Sequence, residues 1–396
     1  METLNVKENQ KKLDKIARVF QWNRRLMSFL GLWPDSPNLL LFVLTFGYYS
    51  YDMFLEYMDL LVYIDRPQNV MLNLMENMAF TEIFVRILML RVWNRQFGEL
   101  LAAAEKDFEA KSYDTDEEVA KFVPFYAKAK SFMKLLISNT AFTATSFYVK
   151  PLLGQLGPVM DYFGANGEPN STLIFLLPYR FYVLYELDDA PTYFWTYGSY
   201  LPFVFISGFG QSAADCLMVT LVYHLSGQLA VLSMRIEKID GDAKELRRHV
   251  ARHAKLLRMG KIIEEAFSAI EFGHLIGATS LVCLLGYQIL VCLSIGEYSV
   301  LVSLFAFIFL VLLVLYAHCT VGESLIAESN RVCEAYYNCN WIDMRPENAR
   351  LLILCMARSQ KPLRLTAGKF TDLCYQTFTD SIKTSMGYLS VLRAVM

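Results

Sequence analysis

The sequence predicts an all-α membrane protein of seven transmembrane helices, N-terminus cytoplasmic and C-terminus extracellular, with helices extended into a cytoplasmic anchor region. Three observations predict it. Of 396 residues, 55% are hydrophobic and only 19% charged, far from the balance of soluble domains. Seven apolar runs are long enough to cross a bilayer core of about 30 Å at about 1.5 Å per residue. The basic residues gather in alternate connections between those runs.

The opening METLNVKENQKKLDKIARVF is polar and amphipathic, and no small-residue cleavage site follows the first apolar run, so no removable signal peptide is expected. The spans fall at 38 to 59, 70 to 92, 132 to 153, 194 to 222, 272 to 294, 299 to 321 and 371 to 393. The fifth and sixth, LIGATSLVCLLGYQILVCL and VLVSLFAFIFLVLLVLYAHC, stand on hydropathy alone. The second and seventh contain ionisable residues and rest on pattern. In the second, Glu82 and Arg86 stand one turn apart and pair, because an unpaired charge at that depth is costly. If that pair acts alone, exchanging its two charges leaves surface expression intact.

An internal N-terminus puts 30 of the 37 Lys and Arg on the cytoplasmic side and leaves Arg66, Lys150, Arg180 and Arg393 outside. Asn170, in an Asn-Ser-Thr sequon, then falls in the outer loop after the third span, where a glycosylation acceptor belongs. None of the eight cysteines lies in an outer loop, so no extracellular disulfide is expected. A net charge of −2 supplies no field for nucleic acid. No nucleophile and base, Gly-rich phosphate loop or metal cluster argues for an enzyme, and no cofactor is implied.

Residues 236 to 271 read as one long cytoplasmic helix, with Leu246, Val250, Ala254 and Leu257 at helical spacing opposite a basic face. His249 and His253, at i and i+4, are assigned to the solvated face of that helix. After the sixth span two further helical stretches are broken near Trp341 to Pro346 and at Lys361-Pro362.

Three stretches carry a family resemblance. FLGLWPD before the first span, LPYRFYVLYELDDAPTYFWTYGSY before and into the fourth, and SQKPLRLTAGKF with TFTDSIKTSMGYLSVLRAVM at the end together resemble the insect odorant receptors. The resemblance runs along the whole chain and implies a ligand-tuning subunit. Such a subunit assembles with the family's co-receptor as a heterotetramer, an odorant-gated non-selective cation channel in the plasma membrane of the olfactory sensory neuron dendrite. Its partners are a small volatile organic ligand, membrane lipid and permeating cations. The chain divides into a cytoplasmic segment (1–37), six spans holding the ligand (38–322), an anchor and assembly segment (323–370) and a seventh, pore-lining helix (371–396).

On a helical wheel Asp380, Thr384, Gly387, Val391 and Val395 form one stripe of the last span, with Lys383, Ser390 and Ala394 beside it. A charge at the bilayer centre costs roughly 2.5 to 3.5 kcal/mol, so Asp380 and Lys383 face water, protein or each other. The residues alone leave two placements open: a watery oligomer axis, or packing within the chain's own bundle. The resemblance favours the axis and puts Val391 and Val395 at an apolar constriction that closes by dewetting. Ala394 replaces a polar amide of the co-receptor.

By the same analogy the ligand lies among spans two to six, in an apolar, aromatic enclosure. Candidates by depth are Phe80 and Phe84, then Phe142, Thr145 and Ser146, then Tyr200, Phe203 and Phe205, and finally Thr279, Cys283 and Tyr287. Tyr193, Phe194, Trp195 and Tyr197 suit an interfacial belt instead. The alternative reading is a seven-helix G-protein-coupled receptor; the orientation, the absence of Asn-Pro late in the last span and the absence of outer-loop cysteines oppose it.

Overall fold

A computed structural model gives the fold and describes residues 6–163, 173–239, 243–296, 298–341 and 344–395. In chain order the helices are α1 (Val6–Phe29), α2 (Leu39–Val62), α3 (Pro67–Val92), α4 (Asn94–Glu105), α5 (Asp116–Leu153) and α6 (Leu156–Phe163). They continue as α7 (Ala190–Ser199), α8 (Leu201–Glu237), α9 (Ala243–Ile295), α10 (Leu301–Asn338), α11 (Pro346–Ser359) and α12 (Tyr375–Val395). Each of the seven expected spans lies within or largely overlaps one of α2, α3, α5, α8, α9, α10 and α12. Among the described residues, three helices, ending at Glu237, Ile295 and Asn338, are long and apolar enough to cross a membrane by length and composition alone. The others hold ionisable groups that need protein neighbours.

The boundaries follow local chemistry. Asn38 caps α2 by accepting a hydrogen bond from the Leu41 amide at 3.0 Å. Thr115 caps α5, and Asp116, Glu117 and Glu118 in its first turn oppose the positive end of the helix dipole. α1 ends at Gly31, whose φ of 71° suits glycine, while the Leu32 amide returns to the Met27 carbonyl at 2.8 Å.

Two spans start later than the sequence suggests. The fourth begins at Leu201 because the chain breaks at Tyr200, just before Pro202, and α7 forms a separate short helix. In α7, Tyr193 and Tyr197 are buried while Trp195 is exposed, so the aromatic belt expected there is half core. The seventh begins at Tyr375, after a two-stranded hairpin of β1 (Thr366–Ala367) and β2 (Thr371–Asp372). Gly368 and Lys369 turn it with φ of 61° and 64°.

α8 is the spine. Every residue from Ser212 to Ser233 is buried, because the helix is surrounded by α1, α3, α5, α9 and α10. α8, α9 and α10 run on past the apolar spans and meet α1, α4 and α11 in a polar-jacketed extension. There Asp107 joins His224 at 3.1 Å and Arg252 at 2.8 Å. Burial pushes the Asp107 carboxyl up, but these two partners outweigh it and hold the group below its usual range.

His249 and His253 do not lie on a solvated face. Both are buried, and Tyr336 near the end of α10 stands 3.3 Å from His253. Burial, helped by the charge of Arg358, lowers His253 from 6.5 to about 4. The folded state therefore holds a neutral imidazole that the unfolded chain protonates below pH 6.5. The stabilising contribution is complete above 6.5 and is lost as pH falls toward 4. The melting temperature of the detergent-purified chain is expected to drop between pH 7 and 5, and His253→Gln to reduce that drop.

Candidate functional site: an apolar cavity beside a buried ionic network

A cavity lies within the bundle, and five helices each give it one face. α3 contributes Glu76, Ala79, Phe80, Glu82 and Ile83, and α5 contributes Thr140, Thr143, Ala144 and Phe147. α8 supplies Val204, Ser207, Gly208 and Gln211, α9 supplies His274 and Leu281, and α10 supplies Phe307, Leu310, Val311 and Val314. The steps of three and four residues within these sets are one helical face repeated. Tyr179, from the segment before α7, completes the wall.

Of the residues proposed from sequence, Phe80 lines the cavity. Phe203 stands behind it, edge-on at 4.7 Å, and stacks on Tyr49 at 4.9 Å. Tyr200 meets Phe181 at 4.9 Å. Phe84 turns toward α2 and stacks on Phe46 at 4.8 Å. Phe142, Thr145 and Phe205 are exposed. Ser146 donates to the Thr143 carbonyl, and Thr279 to the Leu275 carbonyl, each at 2.8 Å. Cys283 is buried and Tyr287 half-buried, but neither is part of the lining. The α5 residues that line it were missed because a transmembrane helix is apolar on every side, so hydropathy does not tell inside from outside. The usable signal was the small and hydroxyl-bearing stripe of Thr140, Thr143 and Ala144, since such residues face other helices.

Beside the cavity, the Glu82 and Arg86 pair proves to be one edge of a network across four helices. The Arg86 Nη1 donates to Glu82 Oε2 and to Gln211 Oε1, each at 3.1 Å. Its Nε stands 3.3 Å from Asp215 Oδ1, which also faces His318 at 3.4 Å. His318 reaches Glu271 at 2.9 Å, and His274 reaches Glu82 at 3.0 Å. Nothing in the local spacing reveals this, because Asp215, Glu271, His274 and His318 lie far away in sequence.

α12 is two-sided. Thr377, Ser381 and Ser385 are buried, and Ser385 donates to the Thr279 carbonyl of α9 at 2.9 Å. Asp380, Thr384, Gly387, Val391 and Ala394 are exposed in the single chain. The side chain of Val395, and all of Asn170, lie outside the described residues. α9 thus touches the cavity through His274 and Leu281 and holds α12 through Thr279.

Comparison with known proteins agrees with this architecture. Odorant receptor 13a of Drosophila melanogaster is 25% identical over 349 residues, 79% of this chain and 77% of the relative. Odorant receptor 94a of the same species is 21% identical over 327 residues, 80% of this chain and 79% of the relative. The solved structure of the insect olfactory receptor OR5 from Machilis hrabei in complex with eugenol superposes with a TM-score of 0.78. That match covers 96% of this chain and 100% of the other at 15% identity, and it shows the shared fold. The model of the 7tm Odorant receptor family matches residues 67–386. Spanning most of the sequence, that match shows that the chain belongs to the insect odorant receptor family, whose members are membrane proteins and not enzymes.

Proposed function

We propose that this chain is the ligand-tuning subunit of an odorant-gated, non-selective cation channel, formed as a heterotetramer with the family's co-receptor. Its N-terminus is cytoplasmic, and it works in the plasma membrane of the olfactory sensory neuron dendrite. A volatile ligand occupies the cavity among α3, α5, α8, α9 and α10. The observation that carries this reading is that apolar cavity between five helices, in a chain of this family whose fold is shared with a receptor solved in complex with eugenol.

The energetics are adequate for an odorant. A one-ring ligand hiding ~200 Å² of apolar surface gains ~5 kcal/mol at ~25 cal/mol per Å². Association entropy takes back part of that, so affinities weaker than nanomolar follow. α12 then lines the pore with Asp380, Thr384, Gly387, Val391 and Ala394, and its buried side hangs on α9. Widening the cavity moves α9, and α9 moves α12. Acidic outer loops, among them Asp65, Glu186, Asp188 and Asp189, concentrate cations near the mouth.

The test is recording under an odorant panel, with and without the co-receptor, while G-protein signalling is blocked. Rapid current that needs the co-receptor and survives the block is the expected result. Current that disappears with G-protein signalling would support the coupled-receptor alternative.

A further inference from the structure

A second, more open cavity lies between α2, α3 and α9. Its rim carries Tyr57, Phe272 and Ile276, which are 40%, 38% and 52% exposed, so it opens to the surroundings of the bundle. One wall is flattened by Gly273 and Gly277, one turn apart on α9. No atom lies within 4 Å of where a Cβ on Gly273 would sit, so open space stands over it. A Cβ on Gly277 would overlap the Glu82 carboxylate. The absence of a side chain there lets the ionic network reach the crevice.

Glu82 and Arg86, which line the crevice from α3, are incompletely satisfied. The Arg86 side chain is 1% exposed, and its Nη2 has no hydrogen-bond partner. The Glu82 Oε1 has none either. An unmatched donor and an unmatched acceptor, buried where no bulk water reaches, cost about 1 to 3 kcal/mol each. A hydroxyl on an apolar body accepts from the first and donates to the second. An anionic head would meet the Glu82 carboxylate, and a cationic head would meet the Arg86 guanidinium. The occupant's body must be apolar, to match Phe272 and Ile276, and flat enough to lie against the bare backbone at Gly273.

We propose that this crevice binds a sterol of the surrounding bilayer, its hydroxyl placed at Glu82 and Arg86 and its rings over Gly273. Glu82 and His274 line both cavities, so an occupant here steadies a wall of the ligand cavity as well. The sterol site does not depend on the odorant reading, since it requires only that these helices face lipid.

The test uses the purified full-length chain and a photoreactive cholesterol carrying a diazirine and a free hydroxyl. Saturable labelling within residues 78 to 86 or 270 to 277 is expected, and excess cholesterol should suppress it. Cholestane, which lacks the hydroxyl, should compete ~30-fold more weakly, about the worth of two hydrogen bonds. Gly273→Leu fills the open space and should abolish the labelling while the chain still elutes as a folded species. Should that variant misfold, Ile276→Trp closes the same rim. Labelling that is absent, unsaturable or elsewhere overturns the proposal, as does equal competition by cholestane or labelling that survives both substitutions. Disulfide trapping of Ile276→Cys between two chains would put a neighbouring helix in the crevice and overturn it too.

Discussion

Cells expressing the double exchange Glu82→Arg, Arg86→Glu are expected to deliver almost none of the chain to their surface. Seen as an isolated pair one turn apart, the two residues should tolerate the exchange. The network forbids it. A glutamate at 86 would face Asp215, whose carboxylate now stands 3.3 Å from the arginine, and an arginine at 82 would face His274, now 3.0 Å from the glutamate. Breaking a buried ion pair by removing one partner costs about 3 to 5 kcal/mol, and the new like-charge contact with Asp215 adds to that. The total rivals the ~5 to 15 kcal/mol by which a folded domain is held together. Surface biotinylation and size-exclusion profiles of a fluorescent fusion measure the outcome. Glu82→Gln, which keeps the side chain's size and leaves Arg86 to Asp215, should be much milder. If the exchange is delivered as well as the parent chain, the four-helix network is not what holds these charges.

The second large effect is expected at Ala144. This residue lies on the cavity face of α5, between Thr143 and Phe147, and half-buried, so a larger side chain has the cavity to grow into. Ala144→Trp should place an indole in the cavity proposed for the ligand. The stability cost is small, because filling empty space avoids the ~1 to 3 kcal/mol of overpacking a dense core. The functional cost is large: the half-maximal odorant concentration should rise ~10-fold or more, the equivalent of at least about 1.4 kcal/mol of binding. Dose-response curves at matched surface density decide it. The same substitution at Phe142, which points away and is 55% exposed, is expected to leave the curve in place.

These contrasts show where the sequence was informative. Span number, approximate ends and the long extensions of α8, α9 and α10 are legible because burial of a backbone in lipid demands continuous apolar helix. Facing is not legible for the same reason: lipid and protein interior are both apolar, so Phe142 and Phe147 look alike, yet only Phe147 lines the cavity. α12 is the exception. Its hydroxyls and charges are expensive in lipid, so their spacing divides the helix into a buried and an exposed side, and Ser385 and Thr384 fall on opposite ones. The network around Arg86 could be suspected from a charge in a span, but its partners come from α8, α9 and α10 and appear only once those helices are packed. His249 and His253 fail differently. Polar helices outside the bilayer still bury one side, and the neighbour of His253 here is Tyr336 of α10, some 80 residues away in sequence.

The exposed side of α12 also separates the channel reading from a helix packed wholly within its own bundle. Single cysteines at 380, 384, 387 and 391, and at the buried positions 381 and 385, give the most direct measurement when treated with a water-soluble thiol reagent during odorant-evoked current. Modification at 380, 384 and 387, faster with odorant than without, and silence at 381 and 385 are the expected results. If all six positions resist the aqueous reagent at rest and under odorant, α12 does not line a pore and the account fails.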